Sequence, residues 1–318
     1  MPQGKKPLPD PLLVALGIAA QDEASAVAFL EDRRWGALPR CPLCAAETVY
    51  QMKDRASGQR NKDYRWRCLD CKRMFTVRTG TIMEESRLPL KVWVHAFWRA
   101  SASKKGVSAL QISRECNLNY KSALFLLHRI REAMSEENGG GDKLQGAVEA
   151  DETYVGGKPR IKGPHNKRGR GTKKTPVFGV VERAGKARLR VMPRVNSKTL
   201  KAALLENVEL SSMLITDELA AYRQAGKAFA GGHQTVNHGG REYVRGDIHS
   251  NTIEGLFSLL KRGMYGTFHS VSKKHLHRYL SEFAFRYNAR KVDDAERVSH
   301  AIRAAEGKRL TYKDQLTG

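Results

Sequence analysis

Residues 147–157, AVEADETYVGG, decide the fold that this sequence predicts. Small and apolar residues lead into the acidic pair Asp151 and Glu152, and Gly156 and Gly157 follow. Such a run is typical of a buried strand that ends by presenting a carboxylate. We therefore expect Asp151 to lie where a core strand meets a cleft.

Two further acids stand at the edges of apolar segments. Asp217 follows the apolar run 213–216, and Glu254 opens the amphipathic segment 253–261. We expect Asp151, Asp217 and Glu254 to meet in space and to hold two Mg²⁺ or Mn²⁺ ions. Hard divalent cations take oxygen ligands, and a pair of them can activate an attacking oxygen and stabilise a leaving one in phosphodiester chemistry.

The segment that contains Glu254 also carries cations. If its helix starts near Thr252, Glu254 lies in the first turn and Lys261 lies two turns later on roughly the same face. Lys261, with Arg262 beside it, is then predicted to contact the DNA backbone. Most acidic residues are simply solvated, and nearby acids leave alternatives to the chosen three, namely Glu149, Glu152, Glu218 and Asp247.

The composition predicts a polyanionic partner. The 318 residues include 56 Lys and Arg against 33 Asp and Glu, which gives a net charge of +23. This excess favours nucleic acid, with a ribosome-associated or merely basic protein as the alternative. The sequence has no run of 18 apolar residues, although residues 12–20 superficially resemble a signal peptide. We expect a cytoplasmic, nucleoid-associated protein.

Four of the five cysteines form two C-x-x-C pairs. Cys41 and Cys44 make the first pair, Cys68 and Cys71 make the second, and 23 residues separate the pairs. This spacing predicts a structural Zn²⁺ site with four thiolates, which leaves no open position for chemistry. The zinc would hold a basic hairpin against DNA. Cys116 stands apart and is expected to be a small buried hydrophobic residue.

The segments 107–116 and 120–130 are predicted to form two helices joined by a short turn. A helix-turn-helix places its second helix in the major groove of DNA. Tyr120 and Lys121 would then lie where base edges are reached. The alternative is a plain helical hairpin without DNA contact.

Residues 156–175 are basic and rich in turn formers. They contain seven Gly or Pro residues and no acid, which argues against a helix or a strand. We predict a mobile loop that grips phosphates near the active site, and the alternative is a solvated insertion. Its cations are Lys158, Arg160, Lys162, Lys167, Arg168, Arg170, Lys173 and Lys174.

The order of elements predicts a multidomain α+β protein. The elements follow in the order strand, hairpin, helix, strand ending in an acid, and later a helix with an acid. This order suits an RNase H-like α/β domain with a mixed five-stranded sheet. The predicted segments, in chain order, are an N-terminal helical segment (1–36), a zinc ribbon (37–85), a helix-turn-helix-like segment (86–137), a linker (138–145), the RNase H-like catalytic domain (146–290) and a mobile charged tail (291–318).

The motifs also form a set. Several segments together resemble bacterial insertion-sequence transposases of the ISXO-like group. These segments are Asp151 to Lys158, Thr216 with Asp217, residues 249–263 and 274–290, and the cysteine pairs followed by residues 79–81. The resemblance covers about residues 25–292. It implies an RNase H-like, DDE-type transposase that cuts at the terminal inverted repeats of its element and joins the 3′ hydroxyl to target DNA. Because two ends must be held together, a homodimer or larger assembly on double-stranded DNA is expected.

By this resemblance, Asp151 and Asp217 are the first two catalytic metal ligands. Some members of the group have Asn at the third position and others have Glu, and here Asn251 and Glu254 lie three residues apart. We prefer Glu254, with Asn251 assisting, because a carboxylate binds Mg²⁺ better than an amide. This sequence departs from the pattern at Leu256, where relatives often have an aromatic residue.

Two other functions remain open from the sequence. One is a metal-dependent nuclease of the same fold that cleaves without joining. The other is a DNA-binding regulator whose catalytic domain is inactive, which would need the cysteine pairs and the helix-turn-helix but not the acids.

Overall fold

The computed structural model describes residues 10–135, 142–157, 174–236 and 244–317. The chain divides into two compact units. The first unit combines both ends of the chain, Met1–Met134 and Val292–Gly318, and the second is Ser135–Lys291. In the described part of the chain, no helix combines the length and the apolar character that crossing a bilayer requires.

Helices dominate the N-terminal part of the first unit. Aspartate, serine and asparagine side chains start several of them, as Asp22 does by accepting a hydrogen bond from the Ser25 amide at 2.7 Å. Their apolar faces bury large residues such as Trp93 and Phe97. These helices are α1 (Pro11–Ala19), α2 (Glu23–Trp35), α3 (Leu90–Ala102), α4 (Ala109–Glu115) and α5 (Tyr120–Ala133).

A three-stranded antiparallel ribbon lies between α2 and α3 in the sequence. Its strands are β1 (Val49–Gln51), β2 (Trp66–Cys68) and β3 (Met74–Phe75). Trp66 of this ribbon packs edge-on against Trp35 of α2, with ring centroids 5.9 Å apart, and its Nε1 donates to Glu31 Oε1 at 2.7 Å. The ribbon and the N-terminal helices therefore form one unit rather than separate segments.

The second unit is built on a mixed five-stranded sheet, as predicted for an RNase H-like fold. Its order is β6-β5-β4-β7-β8, in which β4 pairs antiparallel with β5 and β5 with β6, whereas β7 runs parallel to β4 and β8 to β7. The strands are β4 (Ala147–Val155), β5 (Thr175–Glu182), β6 (Ala187–Val191), β7 (Met213–Asp217) and β8 (His233–Val236). A small hairpin of β9 (Val244–Arg245) and β10 (Ile248–His249) follows.

Helices cover both faces of this sheet. Alternation along β4 sends Val148 and Ala150 into a core with α6 (Ser197–Asn207) and α7 (Ala220–Gly226), and Val155 into a core on the opposite face. That second core contains α8 (Asn251–Gly263) and α9 (Leu276–Asn288), which are joined by a π-helical turn, Met264–Phe268, and a 3-10 turn, Lys273–His275.

The prediction that Asp151 ends its strand was wrong. Asp151 lies in the middle of β4, which continues to Val155. The β-formers after the acidic pair extend the strand, since Thr153 pairs with Val177 and Val155 with Thr175. A strand interior holds Asp151 more rigidly than a strand end would.

The expected charged tail is also structured. Residues 291–318 contain α10 (Asp294–Arg303) and α11 (Tyr312–Thr317), and α10 buries an apolar stripe. The prediction weighed the shortage of large apolar residues, but small residues at helical spacing let helices approach closely. The buried residues are Ala295, Val298, Ala301 and Ile302. Beyond α10, the Gly307 amide donates to the Gly80 carbonyl at 2.9 Å, within the same unit.

The predicted linker, 138–145, is shorter than expected. Residues 136–141 lie outside the described part of the chain, but Leu144 is buried in the core of the second unit. Its amide donates to the Asn207 carbonyl and its carbonyl accepts from the Glu209 amide, both at 2.9 Å. The second unit therefore begins before Leu144.

Candidate functional site

The parallel pairing of β4 with β7 brings two of the predicted acids to neighbouring positions. Val148 pairs with Leu214 and Glu149 with Ile215. The pairing ends there, and Asp151 and Asp217 each lie two residues further along their strands, on the same face of the sheet. Adjacent strands lie about 4.8 Å apart, so the two carboxylates project into one region.

The third predicted acid comes from α8. This helix begins at Asn251, so Glu254 lies in its first turn, as the sequence predicted. Glu254 is exposed, and its Oε1 accepts a hydrogen bond from the Ser250 hydroxyl at 2.9 Å. Asn251 is also exposed, at the first position of the helix.

A cleft of about 720 Å³ lies beside two of these acids. Asp151, Glu152 and Glu254 line its acidic side, whereas Asp217 and Asn251 are not among its lining residues. Cations and an aromatic residue from the end of α8 and the turn after it form the other side, namely Lys261, Arg262 and Tyr265. The cleft therefore places negative and positive side chains opposite each other.

Asp151 is the electrostatic centre of the cluster. The pKa of its carboxyl is raised to about 8, first by burial and also by the charges of Glu152, Asp217 and Glu254, against the lowering effect of a backbone hydrogen bond. That bond is from the Glu152 amide to Asp151 Oδ1, at 2.7 Å. The charges of both other predicted ligands therefore act on Asp151.

The donor set fits hard divalent cations. Its side chains offer carboxylate oxygens, and oxygen is the ligand atom that Mg²⁺ and Mn²⁺ prefer. Among the described residues, the oxygens of Asp151, Asp217 and Glu254 do not all fall within 4.8 Å of one another. The structure therefore does not arrange the three acids as one compact ligand set.

Glu152 has a partner that the sequence did not reveal. The hydroxyl of Tyr222, which is fully buried in α7, donates to Glu152 Oε2 at 3.0 Å. Burial and the charges of Glu152 and Asp151 raise the pKa of Tyr222 well above its usual value. The tyrosine therefore remains protonated and orients Glu152 at the edge of the cleft.

Glu149 is one of the alternative metal ligands, but its carboxylate binds a helix instead of lining the cleft. Its carboxylate is buried and accepts hydrogen bonds from the first turn of α8. Glu218, the exposed neighbour of Asp217, is not a lining residue of the cleft. Alternation along a strand could have suggested that Glu149 shares a face with Asp151, but nothing local indicated what it binds.

The predicted DNA-binding residues fall in three places. Lys261 and Arg262 are exposed in the cleft, and Lys174 is half-buried just before β5. Tyr120 and Lys121 are exposed at the start of α5, where the Asn119 side chain caps the helix. The remaining cations of the predicted basic loop lie outside the described residues, namely Lys158, Arg160, Lys162, Lys167, Arg168, Arg170 and Lys173.

The four predicted zinc ligands do come together. The sulfurs of Cys41, Cys44, Cys68 and Cys71 all lie within 4.8 Å of one another. The Cys41–Cys71 and Cys44–Cys68 sulfur pairs are 3.7 and 3.6 Å apart. Zn–S bonds of about 2.3 Å at tetrahedral angles require sulfurs about 3.8 Å apart. The cluster therefore fits a structural zinc ion, and Cys116 lies outside it.

Each of the two units contains a segment that matches a known protein-family model. Residues 143–288 match the model of the ISXO2-like transposase domain, and residues 21–74 match that of the transposase zinc-ribbon domain. A Halobacterium salinarum protein, described as an uncharacterized protein in transposable element ISH50, is 31% identical over 279 residues. The match covers 83% of this chain and 90% of that protein.

Solved structures show weaker likeness. The Mos1 strand transfer complex has 12% sequence identity and a TM-score of 0.29, over 64% of this chain and 75% of that one. A simian T-cell lymphotropic virus intasome in complex with PP2A regulatory subunit B56 gamma has 15% identity and a TM-score of 0.29, over 61% and 65%. Structural similarity at this level is too low to indicate a function for the site.

Proposed function

The chain belongs to the family of ISXO2-like transposases, and we propose that it cuts DNA at the ends of its element and joins the 3′ hydroxyl to target DNA. The observation that carries this proposal is the cleft in which Asp151 and Glu254 face Lys261 and Arg262. Carboxylates suit divalent metal, and cations suit the phosphates of DNA.

The acids Asp151, Asp217 and Glu254 are the proposed holders of a pair of Mg²⁺ or Mn²⁺ ions. When bound, such ions supply an activated attacking oxygen and stabilise the leaving oxygen of a phosphodiester. Asp151 would be one of their ligands, because it lines the cleft and its strand pairs with β7. Glu254 is preferred over Asn251 as the third ligand because a carboxylate binds Mg²⁺ better than an amide.

Cations of the cleft are the proposed holders of the DNA backbone. Lys261 lies seven residues after Glu254, about two helical turns along α8, so the helix spans from acid to cation. Lys261 and Arg262 would orient the scissile phosphate over the acids. Lys174 and the other cations of the basic loop are proposed to bind flanking phosphates.

The first unit is proposed to recognise the element ends. Tyr120 and Lys121 stand exposed at the start of α5, the second helix of a helix-turn-helix-like pair. The zinc ribbon would hold its basic hairpin against the same DNA. Because two ends must be cut and joined together, the active species is proposed to be a homodimer or a larger assembly.

One experiment separates this proposal from its alternatives. The inverted repeats that flank the gene supply a labelled element-end duplex, which is incubated with the protein, Mg²⁺ or Mn²⁺ and a plasmid target. Joined product is the expected result. Nicks without joining would indicate a nuclease, and a mobility shift without cleavage would indicate a regulator; either result contradicts the proposal.

Variants of neighbouring acids make the test specific. Asp217→Asn should abolish cleavage and joining while the mobility shift persists, because Lys and Arg contacts position DNA independently of the metals. Glu218→Gln, which changes the exposed adjacent acid, should leave both reactions unchanged. Full activity of Asp217→Asn would refute the assignment of the acids.

A further inference from the structure

The buried carboxylate of Glu149 has no part in the proposed chemistry, yet it binds the helix that carries Glu254. Glu149 lies two residues before Asp151 on β4, and its side chain is 0% exposed. A charge in such a place is tolerated only when donors and an opposite charge surround it. We infer that Glu149 is a positioning residue that holds the first turn of α8 and thereby sets where Glu254 stands relative to Asp151. The inference rests on the proposed role of Glu254.

Four donors occupy the two oxygens of Glu149. Oε2 accepts from the backbone amides of Thr252 and Ile253 at 2.9 and 3.0 Å. Oε1 accepts from the Thr252 hydroxyl and from Arg183 Nε, both at 2.9 Å, and His249 Nδ1 lies 3.4 Å away. A carboxylate offers about four lone-pair sites. Glu149 is therefore fully engaged and does not act as a further metal ligand.

Glu149 also caps α8 in place of a local residue. The first amides of a helix lack partners within the helix, and Ser250 at the N-cap position makes no side-chain cap hydrogen bond. The Ser250 hydroxyl donates instead to Glu254. The negative charge of Glu149 lies at the positive end of the helix dipole, which strengthens the cap.

Arg183 links Glu149 to the segment before α8 as well. Its Nε binds Glu149, its Nη2 donates to the His249 carbonyl at 2.9 Å, and its Nη1 donates to the Asp247 carbonyl. One guanidinium therefore joins β4 to the chain that enters the helix. The planar fork of arginine suits this triple role, which lysine cannot reproduce.

Glu149 lies close to the acids that it would position. Glu149 and Asp151 are on the same face of β4, about 7 Å apart along the strand. Glu254 directly follows Ile253, whose amide Glu149 holds. While these bonds persist, α8 cannot slide along β4, and the separation of the Asp151 and Glu254 carboxylates stays constant.

The first test is amide hydrogen exchange in the full chain with zinc bound. Glu149→Gln keeps the shape of the side chain but loses its charge and two of its acceptor sites. We expect the Thr252 and Ile253 amides to exchange roughly 10–100-fold faster, because bonds to a charged acceptor are lost. The matched control is Glu282→Gln, which changes another buried carboxylate of the second unit, paired with Arg286 on α9; it should leave these two amides unchanged.

The second test measures Mn²⁺ affinity by electron paramagnetic resonance, without DNA. A displaced Glu254 should weaken Mn²⁺ binding of Glu149→Gln by about 10-fold or more, as other changes around metal ligands do. Glu282→Gln should bind Mn²⁺ like the parent protein. DNA affinity should be the same in all three proteins, which a general loss of structure would not permit.

The outcomes separate this inference from the proposed function. Parental exchange at Thr252 and Ile253 together with parental Mn²⁺ affinity in Glu149→Gln would overturn the positioning role. Parental Mn²⁺ affinity in Glu254→Gln would instead overturn the metal site, while the exchange test stays valid. If Glu149→Gln fails to fold, Arg183→Lys serves as the milder variant, with the same expected direction in both measurements.

Discussion

Gly179 of β5 lies directly opposite Asp151 of β4 in the antiparallel register, and α8 packs against the sheet at this glycine. A Cβ at Gly179 would lie 2.8 Å from Ile253 Cδ1 and 2.9 Å from Phe257 Cε1. These two side chains flank Glu254 in the sequence of α8. The missing side chain on β5 therefore sets how closely the third acid approaches the sheet.

Gly179→Ala should displace α8, because its Cβ would overlap the buried side chains of Ile253 and Phe257 in a close-packed interior. We expect a loss of about 1–3 kcal/mol in stability of the second unit and roughly 10–100-fold slower cleavage, with DNA binding retained. Hydrogen exchange of the sheet amides measures the loss of stability, and the element-end assay measures the cleavage rate. Gly255→Ala, where a Cβ meets nothing within 4 Å, should not destabilise the unit. Parental cleavage by Gly179→Ala would contradict this role.

Without divalent metal, the second unit should lose stability as the pH rises. The pKa of Asp151 is about 8 in the folded protein, against about 3.9 in an unfolded chain. The folded state therefore favours the neutral carboxyl, and the stability that this provides is present below about pH 4 and is lost as the pH rises through about 8. Since each pKa unit corresponds to about 1.4 kcal/mol, the loss reaches at most about 6 kcal/mol.

Calorimetric unfolding in metal-depleted buffer, with the ribbon zinc retained, tests this pH dependence. Asp151→Asn cannot ionise, so it should be more stable than the parent protein at pH 8.5 and similar to it near pH 4. Mg²⁺ added at pH 8.5 should stabilise the parent and not the variant. Parallel stability curves for the two proteins from pH 4 to pH 8.5 would refute the prediction.

Removing one zinc ligand should disrupt the ribbon. Cys68 is fully buried, next to Trp66 and Phe75. Cys68→Ser should reduce bound zinc from one ion per chain to none, and Trp66 should become exposed, because metal binding supplies folding free energy in such small modules. Metal analysis and tryptophan fluorescence measure the two effects. Cys116→Ser, outside the cluster, should keep its zinc; loss of zinc from both variants would point to a different ligand set.

The C-terminal segment should contribute to the stability of the first unit. Leu310 is 4% exposed and Leu38 is 70% exposed, so the same substitution can be compared at a buried and an exposed site. Leu310→Ala should cost about 2–5 kcal/mol, whereas Leu38→Ala should change stability by less than about 0.5 kcal/mol. Urea unfolding followed by tryptophan fluorescence is suitable, since all four tryptophans lie in this unit. Equal midpoints for the two variants would mean that the segment is a loose tail.

Local patterns in the sequence were sufficient for several features. The C-x-x-C pairs predicted the cysteine cluster because two tight turns suffice to aim four sulfurs at one ion. The apolar run before Asp217 predicted β7, and the amphipathic pattern after Thr252 predicted that Glu254 lies in the first turn of α8. Each of these depends on residues close together in the chain, where periodicity and turn chemistry act directly.

Contacts between distant segments decided the rest. Asp151 lies inside β4 because the residues beyond it pair with β5, and the C-terminal segment is helical and packed because α10 finds partners in helices from the other end of the chain. The sequence by itself determined the four cysteines that the structure brings together, and it predicted the acids that are proposed to hold metal. Only the tertiary structure decided that Glu149 binds α8, that Tyr222 holds Glu152 and that Gly179 admits the helix, because each depends on a partner far away in the sequence.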